Sequence, residues 1–319
     1  MLDYLIIKPG SLGDVIHSLP VAAAIKRAHP DSTLGWIVDD RWAPLLESNP
    51  HIDRTAVFPR TRFRGLLGGP KSLPWLLGLN AMQAHECLDL QGLLRSAIMA
   101  KMSRSQKVRG LSDAREGAPL FYNSTTKINA RAHAVDRYLA ILNTLGISRP
   151  ENLEFPLPDS PLPVGTPASP FIVLHPYSRG EGKSLSSEAI RAFCEVCLPV
   201  SVVLAGVGTS PENLPANVTD LTGKTSLAEM VSLLRKAAFV VSVDSGPMHI
   251  AAAVNPNLLS VHTWSDPRHV GPYSPEAWIW QGGTIRHQDL EAKEMPAAKS
   301  PSVKDATEMA KHVLSCLKA

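Results

Sequence analysis

The segment Tyr4-Leu5-Ile6-Ile7-Lys8-Pro9-Gly10-Ser11-Leu12-Gly13-Asp14-Val15-Ile16-His17 joins a short apolar run to a glycine-rich turn and then to a helical pattern. The apolar run predicts a buried strand, and the turn marks the start of a helix. In α/β folds, ligands bind just beyond the carboxyl ends of such strands. The segment therefore predicts an α/β fold and places a first functional loop at its glycines.

The same alternation of strand and helix continues along the chain. Further strands are predicted at Leu34–Val38, Thr55–Phe58, Glu86–Leu90, Lys107–Gly110, Phe171–His175, Ser201–Leu204, Phe239–Val243 and Leu258–Val261, with later helices near Ser187–Cys197, Ser226–Lys236, Met248–Val254 and after Ser302. Alternation of this kind indicates parallel sheets, and a cluster of prolines after Phe155 indicates an extended linker. We expect two doubly wound, Rossmann-like domains at 1–157 and 171–300, a linker at 158–170 and a last helix within 301–319.

Length and composition agree with this division. The chain has 319 residues, of which 44% are hydrophobic and 19% charged, as in a globular protein with room for two domains. Apolar stretches are interrupted before they reach the roughly 18 residues that a membrane span needs. No secretory signal pattern precedes the first strand, so we expect a cytoplasmic protein.

Charge is unevenly distributed. Residues 1–150 carry 19 Lys and Arg against 12 Asp and Glu, whereas residues 151–319 carry 13 against 17. Three arginines alternate after the third strand, Arg60, Arg62 and Arg64, and Arg115 lies in a later loop. Arginine binds carboxylates and phosphates through paired hydrogen bonds, so the first domain is expected to bind an anion, although a solvated basic surface remains the alternative. Nucleic acid is disfavoured because no nucleic-acid motif is present.

Loops of the second half have features of a diphosphate site. Asp244-Ser245-Gly246-Pro247-Met248-His249 follows a strand and opens a helix, whose free N–H groups favour an anion. The loop from His175 contains Tyr177, Ser178 and Lys183, and the next loop places Glu212 where a ribose could bind. Gly206-x-Gly208 is only an incomplete nicotinamide fingerprint. Because no Asp-x-Asp pair occurs, we expect helix termini and Lys183, rather than a metal or other cofactor, to stabilise the diphosphate.

Several segments together resemble the glycosyltransferase family 9 heptosyltransferases. They are Lys8–Pro20, Asp89–Ser96, Ala114–Asn123, His133–Asp136 and Val241–Ala253. The resemblance implies a GT-B fold with an acceptor domain first, a nucleotide-sugar domain second, an active site in the cleft between them and a last helix that packs back on the first domain. It further implies inverting transfer from ADP-L-glycero-D-manno-heptose to a Kdo sugar of the lipid A inner core, at the cytoplasmic face of the inner membrane.

The resemblance also implies roles for individual residues. Asp14 would be the general base and Lys183 the cation on the leaving diphosphate. We expect acceptor contacts from Lys8, Arg60, Arg62, Arg64 and Arg115, and donor contacts from Gly13, Tyr177, Ser178, Glu212, Asp244, Ser245, Gly246 and His249. Peripheral contact with the membrane is part of the same interpretation.

Two loops depart from the family pattern, and other functions compete. Lys183-Ser184-Leu185 replaces a lysine followed by an aromatic-proline pair, and His262–Pro267 replaces a Gly-Pro-Thr-x-Pro loop. Alternatives are transfer from another nucleotide sugar, or binding of a nucleotide sugar without catalysis. A nicotinamide oxidoreductase is disfavoured by the incomplete fingerprint. If Asp14 is not the base, His17 and Asp89 are the next candidates.

Overall fold

The computed structural model describes residues 1–63, 68–180, 182–292, 296–297 and 299–318. The chain divides into two compact units, Met1–Pro158 and Asp159–Ala319. Within the described residues, no helix is both long enough and apolar enough to span a bilayer.

The first unit is a parallel six-stranded sheet with helices on its faces. Its strands are β1 (Leu2–Ile7), β2 (Leu34–Asp39), β3 (Arg54–Phe58), β4 (Ala84–Asp89), β5 (Lys107–Leu111) and β6 (Ser124–Thr126). Its α-helices are α1 (Leu12–Ala28), α2 (Gly68–Gly78), α3 (Leu94–Met102) and α4 (Ala134–Leu139), and short 3₁₀ helices include Arg60–Phe63 and Ala118–Phe121. The strand order is β3-β2-β1-β4-β5-β6. β1 lies at the centre, where its apolar residues are covered on both faces.

The second unit repeats this plan with one more strand. Its strands are β7 (Phe171–His175), β8 (Ser201–Leu204), β9 (Val218–Asp220), β10 (Phe239–Val243), β11 (Leu258–His262), β12 (Trp278–Gln281) and β13 (Thr284–His287). Its helices are α5 (Ser187–Val196), α6 (Leu227–Lys236), α7 (Gly246–Val254), α8 (Pro267–Val270) and α9 (Val303–Cys316). The order is β13-β12-β11-β10-β7-β8-β9, with only β13 antiparallel to its neighbour.

In both sheets the direction of winding reverses beside the unit's first strand. This switch point lies between β1 and β4 in the first unit and between β7 and β10 in the second. Loops that leave neighbouring strands in opposite directions open a crevice there, which is where ligands bind in open α/β sheets. The loops that begin at Lys8, Asp89, His175 and Asp244 therefore occupy the functional ends of the two sheets.

The nine predicted strands and the later helices are confirmed within a few residues, but four strands were missed. β6 is a short polar segment, Ser-Thr-Thr, and β9 has only three residues, so neither has a readable apolar period. β12 and β13 form a hairpin across Gly282-Gly283, where both glycines have positive φ. A Gly-Gly pair between two short strands is a hairpin signal that the sequence interpretation overlooked.

The last helix, α9, belongs to the second unit, and its expected packing on the first domain stays a prediction. α9 packs on α5 within the second unit, where Ala306, Met309, Ala310 and Val313 join the core that contains Phe193. The apolar stripe of α9 is thereby buried on its own unit. The start of the expected linker also belongs to that unit, since Asp159 pairs with Arg235 of α6.

Gly110 makes room for a side chain beneath the first functional loops. A Cβ at this position would lie 2.1 Å from the Tyr122 ring, whose hydroxyl donates to Asp89 at 2.7 Å. We predict that Gly110→Ala lowers the free energy of unfolding by about 1–3 kcal/mol, because the ring must move. Gly78→Ala is the control, since Gly78 has helical dihedrals and open space around it. Urea unfolding followed by circular dichroism measures both, and equal effects would contradict the steric explanation.

Candidate functional site

Asp14 lies in the first turn of α1, directly after the glycine-rich turn. The backbone N–H and the hydroxyl of Ser11 both donate to its Oδ2, at 2.9 and 2.7 Å. A carboxylate at the third helical position commonly accepts bonds from the residue that caps the helix. This arrangement fixes the side chain at the carboxyl end of β1.

Lys8 directly follows the same strand and is almost completely enclosed, with 3% of its side chain exposed. Its ammonium donates to the Leu90 carbonyl at 2.9 Å and to the Tyr138 hydroxyl at 2.8 Å. It also lies 3.7 Å from Oδ1 of Asp14. A buried charge is costly unless it is paired and hydrogen-bonded, so these groups are required to keep the ammonium in place.

Tyr138, on α4, completes the group by donating its hydroxyl proton to Oδ1 of Asp14. Burial alone would raise the pKa of Asp14, but the Lys8 charge and the donors Tyr138 and Ser11 outweigh it and hold that pKa well below its usual value. Burial, together with the Asp14 charge, raises the pKa of the Tyr138 hydroxyl far above normal. At neutral pH the site therefore contains an ionised carboxylate beside a protonated phenol.

Asp89, the second carboxylate at this switch point, is occupied by structural bonds. It is fully buried and accepts from the N–H groups of Gln91 and Gly92 and from the hydroxyls of Ser96 and Tyr122. Burial raises its pKa despite these donors. Asp89 thus organises the loop after β4. His17, the other alternative base, is buried with its ring edge-on to His133, at 5.2 Å between centroids.

These groups line a polar cavity of about 440 Å³ in the first unit. Its wall contains Lys8, Asp14, Asp89, Leu90, Gln91, Gly92, Leu111, Asp113, Arg115, Arg137 and Tyr138. Arg137 pairs with Asp113, and Arg115 is held through its backbone N–H, which donates to the Gly92 carbonyl at 2.8 Å. A carboxylate able to accept a proton therefore shares one cavity with three cationic side chains.

The structure brings only part of the expected arginine cluster to this cavity. Arg115 lines it, whereas Arg60 and Arg62 lie on the 3₁₀ helix after β3 and are not among its lining residues. Arg60 lies 3.8 Å from the buried carboxylate of Asp39. Arg64 is outside the described residues. Arg60 and Arg62 are thus not part of the cavity lining, and their contact with the acceptor stays a prediction.

Four lining residues with polar side chains were missed from the sequence, namely Gln91, Asp113, Arg137 and Tyr138. Gln91 lies within a segment quoted for the family resemblance, and Arg137 and Tyr138 directly follow another. Gln91, Arg137 and Tyr138 could therefore have been identified as candidates from those segments. The Tyr138–Asp14 bond itself joins residues 124 positions apart and leaves no local pattern.

In the second unit, two loops are joined at the switch point between β7 and β10. The Ser178 hydroxyl donates to the Asp244 carbonyl at 2.9 Å, and the Ser245 hydroxyl lies 3.4 Å from Nδ1 of His175. α7 begins at Gly246, and the Ser245 side chain does not cap it. The first N–H groups of α7 therefore lie next to the two loops that these bonds join.

Two histidines lie close to this junction. His249, in the first turn of α7, is half-buried. Burial lowers the pKa of His262, at the end of β11, to about 4, although the negative charge of Asp244 acts in the opposite direction. His262 is therefore neutral at physiological pH, and Asp244 and His249 lie near enough to influence it.

Lys183 contacts a side chain of the other atypical loop. Its ammonium lies 3.9 Å from the centroid of the Trp264 ring, and Trp264 is 62% exposed. An ammonium over an indole face is stabilised by the negative potential of the ring. The two loops that depart from the family pattern therefore contact each other, one after β7 and one after β11.

Tyr177 packs within the second unit, and its expected contact with the donor stays a prediction. It is buried, and its ring occupies the space beside two glycines. A Cβ on Gly208 would lie 2.3 Å from that ring, and one on Gly206 would collide with His175. These glycines therefore accommodate core side chains, which explains the incomplete nicotinamide fingerprint.

Glu212 and Gly13 are two further residues that were expected to contact the donor. Glu212 is exposed, and its backbone carbonyl accepts a bond from Arg191 at 3.4 Å. Gly13 is buried in the first turn of α1. Among the residues that the structure describes, no three His, Cys, Asp or Glu side chains are grouped so as to hold a metal ion.

Comparison with known proteins agrees with this architecture. The family model described as Glycosyltransferase family 9 (heptosyltransferase) matches residues 78–167 and 183–299, more than half of the chain. Lipopolysaccharide heptosyltransferase 1 of Escherichia coli K12 is 27% identical over 297 residues, which cover 86% of this chain and 92% of that protein. Lipopolysaccharide core heptosyltransferase OpsX of Haemophilus influenzae is 23% identical over 290 residues, 84% of this chain and 81% of that one.

A solved structure gives the same fold. E. coli heptosyltransferase WaaC with ADP superimposes with a TM-score of 0.79, covering 98% of this chain and all of the other, at 23% sequence identity. Both Rossmann-like units are included in this match, and the expected GT-B fold is confirmed. The chain belongs to glycosyltransferase family 9, the heptosyltransferase family.

Proposed function

We propose that the chain transfers heptose from ADP-L-glycero-D-manno-heptose to a Kdo sugar of the lipopolysaccharide inner core, with inversion at the anomeric carbon. The proposal rests on the ionised Asp14 carboxylate, which lies in a polar cavity that three basic side chains also line. Heptose and lipopolysaccharide are named for the relatives of this chain, and ADP is the nucleotide bound to WaaC. The residues of both units fit such a reaction.

The first unit supplies the acceptor site and the base. Kdo carries a carboxylate, and Lys8, Arg115 and Arg137 provide positive charge around the cavity. The acceptor hydroxyl attacks the anomeric carbon, its proton passes to Asp14, and the bond to the diphosphate oxygen breaks so that ADP leaves with the electron pair. A carboxylate of low pKa is a weak base. Its contribution comes from its fixed position and from the positive charge that develops on the sugar.

The second unit supplies the diphosphate site. The N-terminus of α7 offers N–H groups next to Ser245 and Gly246, with His249 in the same turn. Lys183 adds a full positive charge. Together these groups can balance the negative charge that grows on the leaving oxygen, a role that other glycosyltransferases give to a metal. Asp244 and Ser178 fix the shape of this junction, and the exposed Glu212 is free to reach a ribose hydroxyl.

The Lys183 ammonium contacts the face of the Trp264 ring. A cation resting on an aromatic face keeps only part of its solvation, so less reorganisation is needed when a diphosphate replaces the ring. The exposed position of Trp264 leaves this ammonium accessible. We place the reaction at the cytoplasmic face of the inner membrane, where a nucleotide sugar and a lipid-anchored acceptor can meet.

Asp14→Asn tests the base. The substitution keeps the shape of the side chain and removes its capacity to take a proton. We predict that turnover falls at least ~100-fold while ADP affinity stays unchanged, because general base catalysis contributes on that scale. Product formation by mass spectrometry and ADP titration by calorimetry measure the two effects. Asp31→Asn, on the exposed loop after α1, is the matched control, and near-normal turnover of folded Asp14→Asn would refute the assignment.

Lys183→Ala tests the diphosphate role. Loss of one preorganised cation should lower turnover by an amount equivalent to about 2–4 kcal/mol of activation free energy, with a much smaller loss of donor affinity. Steady-state kinetics with varied donor separates the two quantities. Lys236→Ala, at the exposed end of α6, removes an equal charge from the same unit and should leave both unchanged. A loss of affinity with normal turnover would assign Lys183 to ground-state binding only.

A further inference from the structure

One layer of the first unit has an unusual outer surface. α2 and α3 pack their inner faces into a common core below the sheet, through Trp75 and Leu76 on α2 and Met99 and Ala100 on α3. The 3₁₀ helix Arg60–Phe63 packs beside α2, and the 3₁₀ helix Ala118–Phe121 packs beside α3. These four neighbouring elements therefore form one continuous outer surface.

Large apolar side chains project from this surface. Leu73 and Leu77 are one turn apart on α2, and Leu94 and Ile98 are one turn apart on α3. Leu120, on the adjoining 3₁₀ helix, is 88% exposed, and Phe121 beside it is also exposed. Single exposed apolar residues are ordinary, but six on adjacent elements indicate a surface with a partner.

The charges on the same four elements are all positive. They contain Arg60, Arg62, Lys71, Arg95 and Lys101, and their sequences contain no Asp or Glu. We call this combination of six apolar and five basic residues the basic apolar face. Apolar side chains inserted among basic ones favour an anionic lipid surface, where the apolar groups enter the interface and the cations contact headgroups.

The basic apolar face adjoins the acceptor cavity through two loops. Gln91 and Gly92 line the cavity, and α3 begins shortly after them at Leu94. Arg115 also lines it, and the 3₁₀ helix Ala118–Phe121 follows. Two segments of the cavity wall therefore lead directly into elements of the basic apolar face.

We propose that the basic apolar face docks the chain on an anionic lipid bilayer. The purpose of docking rests on the proposed function, because a lipid-anchored acceptor is what the membrane would present. Lipid binding itself requires neither substrate, so it can be tested separately.

The test is co-sedimentation of the full chain with vesicles in the absence of donor and acceptor. We expect binding to phosphatidylcholine vesicles that contain phosphatidylglycerol, weak binding to phosphatidylcholine alone, and weakening by salt. Leu77→Gln with Leu120→Gln should lower the partition coefficient at least about tenfold, because two apolar side chains no longer enter the interface. Arg95→Glu with Lys101→Glu should lower it at least about tenfold on anionic vesicles only.

Matched control pairs come from the second unit. Val164 and Val207 are 97% and 89% exposed there, so Val164→Gln with Val207→Gln makes the same chemical change elsewhere. Lys236→Glu with Lys304→Glu makes the same charge change at exposed positions. Both pairs should bind vesicles as the unaltered chain does. Equal losses in the control pairs, or no binding of the unaltered chain to anionic vesicles at low salt, would overturn the proposal.

Two further measurements distinguish lipid docking from self-association and from a failure of the proposed function. A dimer seen in solution that dissociates in the Leu77→Gln, Leu120→Gln variant would assign the face to a second copy and refute the lipid proposal. Turnover with a water-dispersed, short-chain acceptor should be normal in both face variants, while turnover with an acceptor embedded in anionic vesicles should fall. Absence of transfer by the unaltered chain on both acceptors would refute the proposed function and leave the vesicle-binding result valid.

Discussion

A buried ammonium is the constraint on which the first unit depends. Lys8 directly follows the central strand and is almost completely enclosed, so its charge must be balanced from within the fold. A carbonyl after β4, a hydroxyl from α4 and the carboxylate of α1 provide that balance. The same contacts keep the Asp14 carboxylate ionised and fix its position. The groups that balance the Lys8 charge therefore include the proposed base.

The two units have similar loops at equivalent positions of their sheets. Each sheet reverses its winding beside its first strand, and each reversal joins a strand-end loop to a helix N-terminus. In the first unit the helix carries its own anion, Asp14, and the cavity around it attracts another through Lys8, Arg115 and Arg137. In the second, the N-terminus of α7 carries no acid in its first turn, and Lys183 is held nearby on Trp264. In the proposed function, the first unit supplies the base and the second supplies the anion site.

Sequence patterns predicted most strands and helices and the loops of the candidate site. They did not predict which side chains contact each other there. Apolar periods and glycine turns are local, so nine strands, α5, α6 and Asp14 were found from neighbouring residues alone. Tyr138 and Arg137 bond to residues that are distant in the sequence, and Lys183 contacts Trp264 of a different loop, so no sequence spacing reveals these contacts. The position of Arg60 and Arg62 outside the cavity lining could not be predicted either, because a local charge pattern does not say which side of the unit a loop faces.

The central claim is that Lys8 and Tyr138 keep Asp14 ionised in the cavity. Carbon-13 NMR of aspartate-labelled protein follows each carboxyl as pH is lowered, and the Asp14 signal is identified by its loss in Asp14→Asn. The account predicts that Asp14 remains ionised through the range where an exposed aspartate, with a pKa near 4, takes up its proton. It also predicts that Tyr138→Phe raises the pKa of Asp14, whereas Tyr122→Phe, which removes a bond to Asp89 instead, leaves it unchanged. An Asp14 signal that titrates at or above the ordinary aspartate pKa, or that ignores Tyr138→Phe, would contradict the account.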